Sequence, residues 1–474
     1  MADDATQRIS TGIPGLDELL HGGLVARRRY LVRGGPGRGK TTLGLSFLSA
    51  TPADKTALFI GFQEPEDELR ANAATVGIDL GDVHVLSLAP SEEFFTQREA
   101  YDVFAASDVE QEPLIDSIVD AVERIRPTRV FVDSLTQLRF LSSDVFQYRK
   151  QVLSFLRFVT ERGATVVFSS ESSTDVPDDD LQFISDAVIN LQADNAQSTV
   201  TVTKFRGSGF MRGAHQFRAD HRGLTVFPRM RPPTRNVDRA ERAPLTSGID
   251  GLDPILHGGL EAGTVTLITG PTGVGKSTLA SHFAIDAAAN GRRAAIYLFE
   301  EEVDLFVRRS RALGLDIDRL HADGALALEQ VEPLRYLADE FTSLVRHDVE
   351  ENGVELVVID SITGFELALA SETVRMALHA LAKNLARLGI SVILVNETAV
   401  STEEFLVSER DISYLSDNVI YLHYVHPNGS LRRGLGVLKK RLSGFESGLH
   451  PFELGAGGIR LQGGPQRTEP VTDA

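Results

Sequence analysis

Short apolar runs of strand length alternate along this chain with stretches whose apolar residues recur at helical spacing, and the whole order runs through twice. The runs YLVRG (30–34), ALFIG (57–61), RVFVDS (129–134) and TVVFSS (165–170) have partners in TVTLITG (264–270), AAIYLF (294–299), LVVIDS (356–361) and SVILVN (391–396). Helical patterns cover 146–162 and 372–388, each closing on a glycine, Gly163 or Gly389. Three further strands end each half: AVINLQ, TVTVTKF and LTVFP in the first, VIYLHY, LGVLKKR and GIRLQ in the second. Near-continuous apolar strands separated by helices predict an α/β fold, with a mostly parallel, doubly wound sheet in each half. Ligands of such sheets bind beyond the carboxyl ends of the strands.

The repeat also sets the domain organisation. STGIPGLDELLHGGL (10–24) returns as TSGIDGLDPILHGGL (246–260), and 474 residues exceed what one core sustains. Two tandem domains are expected at 10–228 and 245–462, with a tail at 1–9, a Pro- and Arg-rich linker at 229–244 and a second tail at 463–474. The first half carries a surplus at 91–113, acidic with four aromatics, which reads as a solvated excursion or as a partner-binding element.

Composition narrows the function classes. No apolar run approaches the ~18 residues of a membrane helix, and the N-terminus lacks the pattern of a signal peptide. A cytoplasmic, membrane-free protein is expected. The absence of cysteine excludes disulfides, thiolate catalysis and zinc-thiolate sites. A net charge of −18 argues against a broad nucleic-acid footprint, although a local basic channel is still allowed. Only eight of 48 basic residues are lysines; that acidic, lysine-poor composition suits a salt-rich cytoplasm, and GC-rich coding gives the same bias.

The chemistry concentrates in two glycine-rich stretches. GGPGRGKTT (34–42) and GPTGVGKST (270–278) both fit Gly-x-x-x-x-Gly-Lys-Ser/Thr, with their lysines 236 positions apart. Each follows a strand and opens a helix, the context in which backbone N–H groups and a helix N-terminus cradle phosphate. Candidate phosphate-binding residues are Gly34, Gly35, Gly37, Arg38, Gly39, Lys40, Thr41 and Thr42, and in the second copy Gly270, Thr272, Gly273, Val274, Gly275, Lys276, Ser277 and Thr278. A Gly-rich turn explains one copy as well; two copies in repeated surroundings favour nucleotide binding. Mg²⁺ would sit between the Thr41 hydroxyl and Asp133 in the first half, and between Ser277 and Asp360 in the second.

The halves diverge after the second strand. Glu300, Glu301 and Glu302 follow it in one half, whereas Gln63 and Glu64 stand there in the other. A carboxylate can activate water beside a γ-phosphate and a glutamine can only orient it; charge compensation at a helix start also accounts for an acidic residue. The first site is therefore expected to bind ATP and turn over slowly unless Glu64 takes the role. Each half ends in a basic triplet, Lys204-Phe205-Arg206 and Lys439-Lys440-Arg441, whose first and third side chains share a face. They read as groups completing a neighbouring subunit's site or as edge-strand charge against aggregation.

Taken together, the TGIPGLD and SGIDGLD openers, the two loops, the FQE and FEE clusters, the VFVDS and VVIDS strands and the KFR and KKR ends resemble the KaiC-type branch of the RecA superfamily of ATPases, over nearly all of residues 10–462. The resemblance implies RecA-like domains in a two-tiered, usually hexameric ring, with ATP and Mg²⁺ at subunit interfaces. It implies Glu300 with Glu301 as water activator, Lys439 and Arg441 reaching into the adjacent site, and Lys204 with Arg206 doing so in the first tier. Autophosphorylation on a Ser-Thr pair would fall here on Ser413-Tyr414, where the threonine is missing. The expected function is a regulatory or signalling ATPase with an unidentified protein partner. A nucleotide-dependent scaffold with negligible turnover and a RecA- or RadA-like recombinase or helicase are the alternatives.

Overall fold

The computed structural model describes residues 7–89, 106–139, 145–171, 178–193, 197–231, 242–369, 374–398, 416–425 and 431–462. The chain divides into two compact units, Met1–Pro228 and Arg229–Ala474. In the first, a small ribbon pairs β1 (Arg8–Ile9) with β2 (Leu24–Val25). The main sheet follows with β3 (Arg29–Gly34), β4 (Ala57–Gly61), β5 (His84–Ser87), β6 (Arg129–Asp133), β7 (Thr165–Glu171), β8 (Ala187–Ala193), β9 (Ser198–Phe205), β10 (His215–Asp220) and β11 (Gly223–Phe227). Its spatial order is β11-β10-β9-β8-β3-β7-β6-β4-β5. The strands from β8 across to β5 are parallel, and β9 to β11 extend the sheet antiparallel.

The second unit repeats this plan with β12 (Val265–Gly270), β13 (Arg293–Leu298), β14 (Leu326–Gln330), β15 (Val354–Asp360), β16 (Ser391–Glu397), β17 (Asn418–Val425), β18 (Arg432–Lys440), β19 (Leu449–Gly455) and β20 (Gly458–Leu461). The order is β14-β13-β15-β16-β12-β17-β18-β19-β20, with the glycine-loop strand again fifth of nine. The architecture is two tandem RecA-like α/β domains. Strands β5, β10, β14 and β19 were not anticipated; they are short or polar, and neighbouring strands rather than their own pattern hold them in place.

Alternation along the central strands feeds two cores, one on each face of the sheet. Tyr30 and Val32 join Phe131 in one, while Leu31, Val130 and Val132 face the other. The second unit divides likewise, Leu356 and Val358 to one face and Val357 and Ile359 to the other. Helices Val145–Glu161 and Val374–Arg387 cover the sheets where helical spacing places them. The repeated openers are locks: Asp17 accepts the Thr11 N–H and hydroxyl at 2.8 and 2.7 Å, and Asp253 accepts the Ser247 N–H at 2.9 Å. At the described ends of 229–244, Arg229 pairs with Asp339 and Arg242 with Glu355, so these ends dock on the second unit. Of the surplus at 91–113, residues 106–113 open the helix Ala106–Ile125, and 91–105 lie outside the described residues.

Candidate functional site

Each glycine-rich stretch joins the carboxyl end of its central strand to a helix that begins at the motif lysine, Lys40–Ser49 and Lys276–Ala289. The turn needs glycine: Gly37, Gly39, Gly273 and Gly275 all have positive φ. A Cβ on Gly34 would lie 2.7 Å from the Leu191 carbonyl, and one on Gly270 2.2 Å from that of Leu422. Val274 is fully buried and anchors the second loop in the core, whereas Arg38 and Thr272 are exposed on their loops. Both lysines are buried and fold back over the loop. Lys40 Nζ donates to the carbonyls of Gly34 and Gly35, each at 2.8 Å, and Lys276 Nζ donates to that of Pro271 at 2.9 Å. Burial lowers both lysines from their usual range; Asp133 and Glu171 oppose this for Lys40, as do Glu397, Asp360 and Glu300 for Lys276.

The strand-end carboxylates meet the motif hydroxyls. Thr41 Oγ1 donates to Asp133 Oδ2 at 2.6 Å, and Ser277 donates to Asp360 in the same way. Asp133 also accepts from Ser169, where the matching position beside Asp360 is the apolar Val395. Burial pushes Asp360 up to about 6, against the Ser277 hydrogen bond and the Arg309 charge, with Glu301 and Glu300 adding to the rise. An adjacent hydroxyl and carboxylate are hard oxygen donors, a set that fits Mg²⁺ better than a soft metal. Neither Asp caps a helix; Ser361 caps Ile362–Ala368 by accepting the Gly364 N–H at 3.1 Å.

The acidic clusters stand next to these hydroxyls and differ as their sequences do. Glu300 is exposed and accepts from Ser361 Oγ at 2.7 Å. In the first unit the equivalent Ser134 hydroxyl is buried with no hydrogen-bond partner, and Gln63 occupies the Glu300 position. Glu301 is held by Arg309, whereas Glu64 accepts from Asn72 Nδ2 at 3.4 Å.

The basic triplets lie elsewhere. Lys204 is paired with Val188 and Lys439 with Val419, each three residues, roughly 10 Å, back along the neighbouring strand from the loop and two strands across. Lys204 Nζ donates to the Gln182 and Ser185 carbonyls at 2.7 and 2.6 Å, and Lys439 Nζ to that of Ser416 at 2.7 Å. Arg206 lies 3.4 Å from the Phe183 carbonyl, and Arg441 is 3.4 Å from Asp417. Burial, and then the adjacent arginine, lowers both lysines. They belong to the sheet end opposite the cradle of their own unit.

Two features were missed. Glu171 and Glu397 end the strands beside the loops, pairing in register with Gly34 and Gly270, and Thr272 donates to Glu397. The Ser-Asp pairs of SDAVIN and SDNVIY anchor the central strands, Asp186 accepting the Arg29 N–H at 3.0 Å and Asp417 the Val265 N–H at 3.1 Å. Both recur at matched offsets, the one signal that could have exposed them. Ser413 and Tyr414 lie outside the described residues.

A buried lysine over a glycine loop, a helix start aimed at the same space and a hydroxyl on a strand-end Asp, twice over in RecA-like sheets, define a P-loop ATPase. A family model described as "ATPase: KaiC" matches residues 9–231 and again 245–465, so the chain belongs to the KaiC ATPase family of the RecA superfamily. It is similar to the circadian clock oscillator protein KaiC of Parasynechococcus marenigrum, 26% identical over 96% of this chain and 90% of that protein. The protein of the same name in Prochlorococcus marinus is 27% identical over 94% and 90%, and that of Synechococcus elongatus 25% over 95% and 88%. Among the described residues no helix is long and apolar enough to cross a membrane.

Proposed function

We propose that this chain is a Mg²⁺-dependent ATPase that assembles into a ring, usually hexameric in this family, with ATP at subunit interfaces and a regulatory or signalling output in the cytoplasm through a protein partner. Its working domains are 10–228 and 245–462. The second cradle carries most turnover and the first chiefly holds nucleotide. The observation behind this division is the carboxylate of Glu300 beside Ser361, against Gln63 and a partnerless Ser134 hydroxyl in the first unit.

Lys40 and Lys276 leave their loop carbonyls to meet the phosphates, helped by the free N–H groups of the following helix. Thr41 with Asp133, and Ser277 with Asp360, would hold Mg²⁺, which when bound screens phosphate charge. Glu300 orients and deprotonates the attacking water. Lys439 with Arg441, and Lys204 with Arg206, are too far from their own cradles to serve them, which supports their acting on an adjacent subunit.

Phosphate release and solution mass are to be measured with and without ATP and Mg²⁺ for the wild type, Lys40→Ala and Lys276→Ala. Lys276→Ala is expected to abolish most release and Lys40→Ala to spare it; the reverse pattern overturns the division. ATP-dependent assembly without release from any of the three would establish a scaffold instead. Autophosphorylation, if present, would label Ser413, and radiolabel from ATP that disappears in Ser413→Ala would demonstrate it.

A further inference from the structure

Glu301 is not free beside the second cradle. Arg309, two turns along the helix Val303–Ala312, donates from Nε and Nη2 to its two carboxylate oxygens at 3.0 and 2.7 Å. Such a fork-on-fork pair fixes both partners in orientation as well as charge. The third guanidinium nitrogen, Nη1, lies 3.4 Å from Thr278 Oγ1. Thr278 is the third residue of the helix that opens the cradle, within the turn whose backbone N–H groups have no partner inside the helix. One guanidinium thus links the acidic cluster to the cradle helix.

The first unit has the same link without the charge. Asn72 stands at the equivalent helix position, and its amide reaches Glu64 at 3.4 Å. Arg309 therefore belongs to what distinguishes the second cradle from the first, together with Glu300 in place of Gln63.

We propose that Arg309 is a positioning residue of the second site: it pins and neutralises Glu301 beside the phosphate cradle, so that of this pair Glu300 is left to act on water. The inference rests on the reading that the second cradle hydrolyses ATP. An unpaired Glu301 would place a negative charge next to the triphosphate and weaken its binding. Glu300 is held by one hydroxyl, which leaves its second oxygen available.

The test is a double-mutant cycle on the full chain, reading the ATP dependence of phosphate release for Glu300→Gln, Glu301→Gln, Arg309→Asn and the Arg309→Asn/Glu301→Gln pair. Glu300→Gln should lower kcat at least about 100-fold, the low end of what a lost general base costs, and Glu301→Gln should lower kcat far less than Glu300→Gln does. Arg309→Asn should raise KM for ATP roughly tenfold, a moderate value because the ion pair is partly exposed, with kcat changing less. The double variant should restore KM, because it removes the uncompensated charge along with its partner. Arg309→Lys, which keeps the charge, should recover most of KM, and Arg309→Gln replaces Arg309→Asn in the cycle if the latter does not fold. A kcat loss in Glu301→Gln equal to that of Glu300→Gln overturns the proposal, as does a double variant no better than Arg309→Asn. Lys276→Ala run in parallel separates the two levels. Unchanged release in that variant removes the underlying reading together with this one, whereas abolished release with a cycle that fails as described removes only the role of Arg309.

Discussion

His282 shows how one buried group ties the second unit to pH. Burial lowers it to about 4, with Asp286 opposing, and its Nε2 accepts the Ile459 N–H at 3.1 Å. A Cβ on Gly458 would lie 2.0 Å from the same nitrogen, so the ring is enclosed closely. An unfolded histidine titrates near 6.5, so the unfolded chain binds the proton more readily. Stability from this group is complete above about 6.5 and is lost as pH falls toward about 4, by up to roughly 3 kcal/mol. Denaturant midpoints of the second unit should show this decline, and His282→Asn, which keeps an acceptor, should flatten it relative to wild type. The candidate residues were legible here to different degrees. The loop residues follow from a local rule, because glycines and a lysine at fixed spacing need no other part of the chain. Ser361 and Arg309 meet their cluster across tens of residues or two helical turns, Ser134 meets no such partner, and no local pattern encodes that difference.

At the scale of an element, the helix after the first loop contains a glycine that packing requires. Gly44 sits against Phe131, and a Cβ there would lie 2.1 Å from the ring. Its counterpart in the second unit is Ala280, which shares a core with the smaller Val358 at the position that matches Phe131. The two pairs exchange volume between helix and strand. Gly→Ala in a helix interior ordinarily stabilises by about 0.5–1 kcal/mol. Here overpacking should reverse the sign, and Gly44→Ala is expected to destabilise the first unit by about 1–3 kcal/mol. Adding Phe131→Val should recover much of the loss, a coupling that urea denaturation of the single and double variants would measure. The central strands and the helices Val145–Glu161 and Val374–Arg387 were readable because burial imposes their period, whereas the helices Ala106–Ile125 and Ala338–Glu350 were not anticipated. The edge strands β5 and β14 and the next-to-edge strands β10 and β19 were not, since partly exposed segments with a weak pattern of their own take their conformation from partner strands.

For the whole molecule, the position of the basic triplets leads to a complementation test. Lys276→Ala lacks a cradle lysine but keeps Arg441, and Arg441→Ala keeps every cradle. If each site is completed by the neighbouring subunit, mixing the two weakly active variants before assembly should restore about a quarter of wild-type phosphate release, since random mixing joins intact halves at that frequency in a head-to-tail ring. Phosphate release from the mixture that equals the mean of the separate variants would show that the triplets do not act in trans.

The sequence by itself determined the two-fold repeat, the α/β class and the paired phosphate loops. Those properties depend on period and on local backbone freedom, and both are written in consecutive residues. Only the tertiary structure decided that Ser361 meets its acidic cluster while the Ser134 hydroxyl has no partner, that Lys204 and Lys439 lie at the end of the sheet away from their own cradles, and that Glu301 is bound to Arg309 while Glu300 is not. The reason is physical. A parallel sheet gathers the ends of strands far apart in sequence along one edge, and the register between strands chooses which side chains meet there.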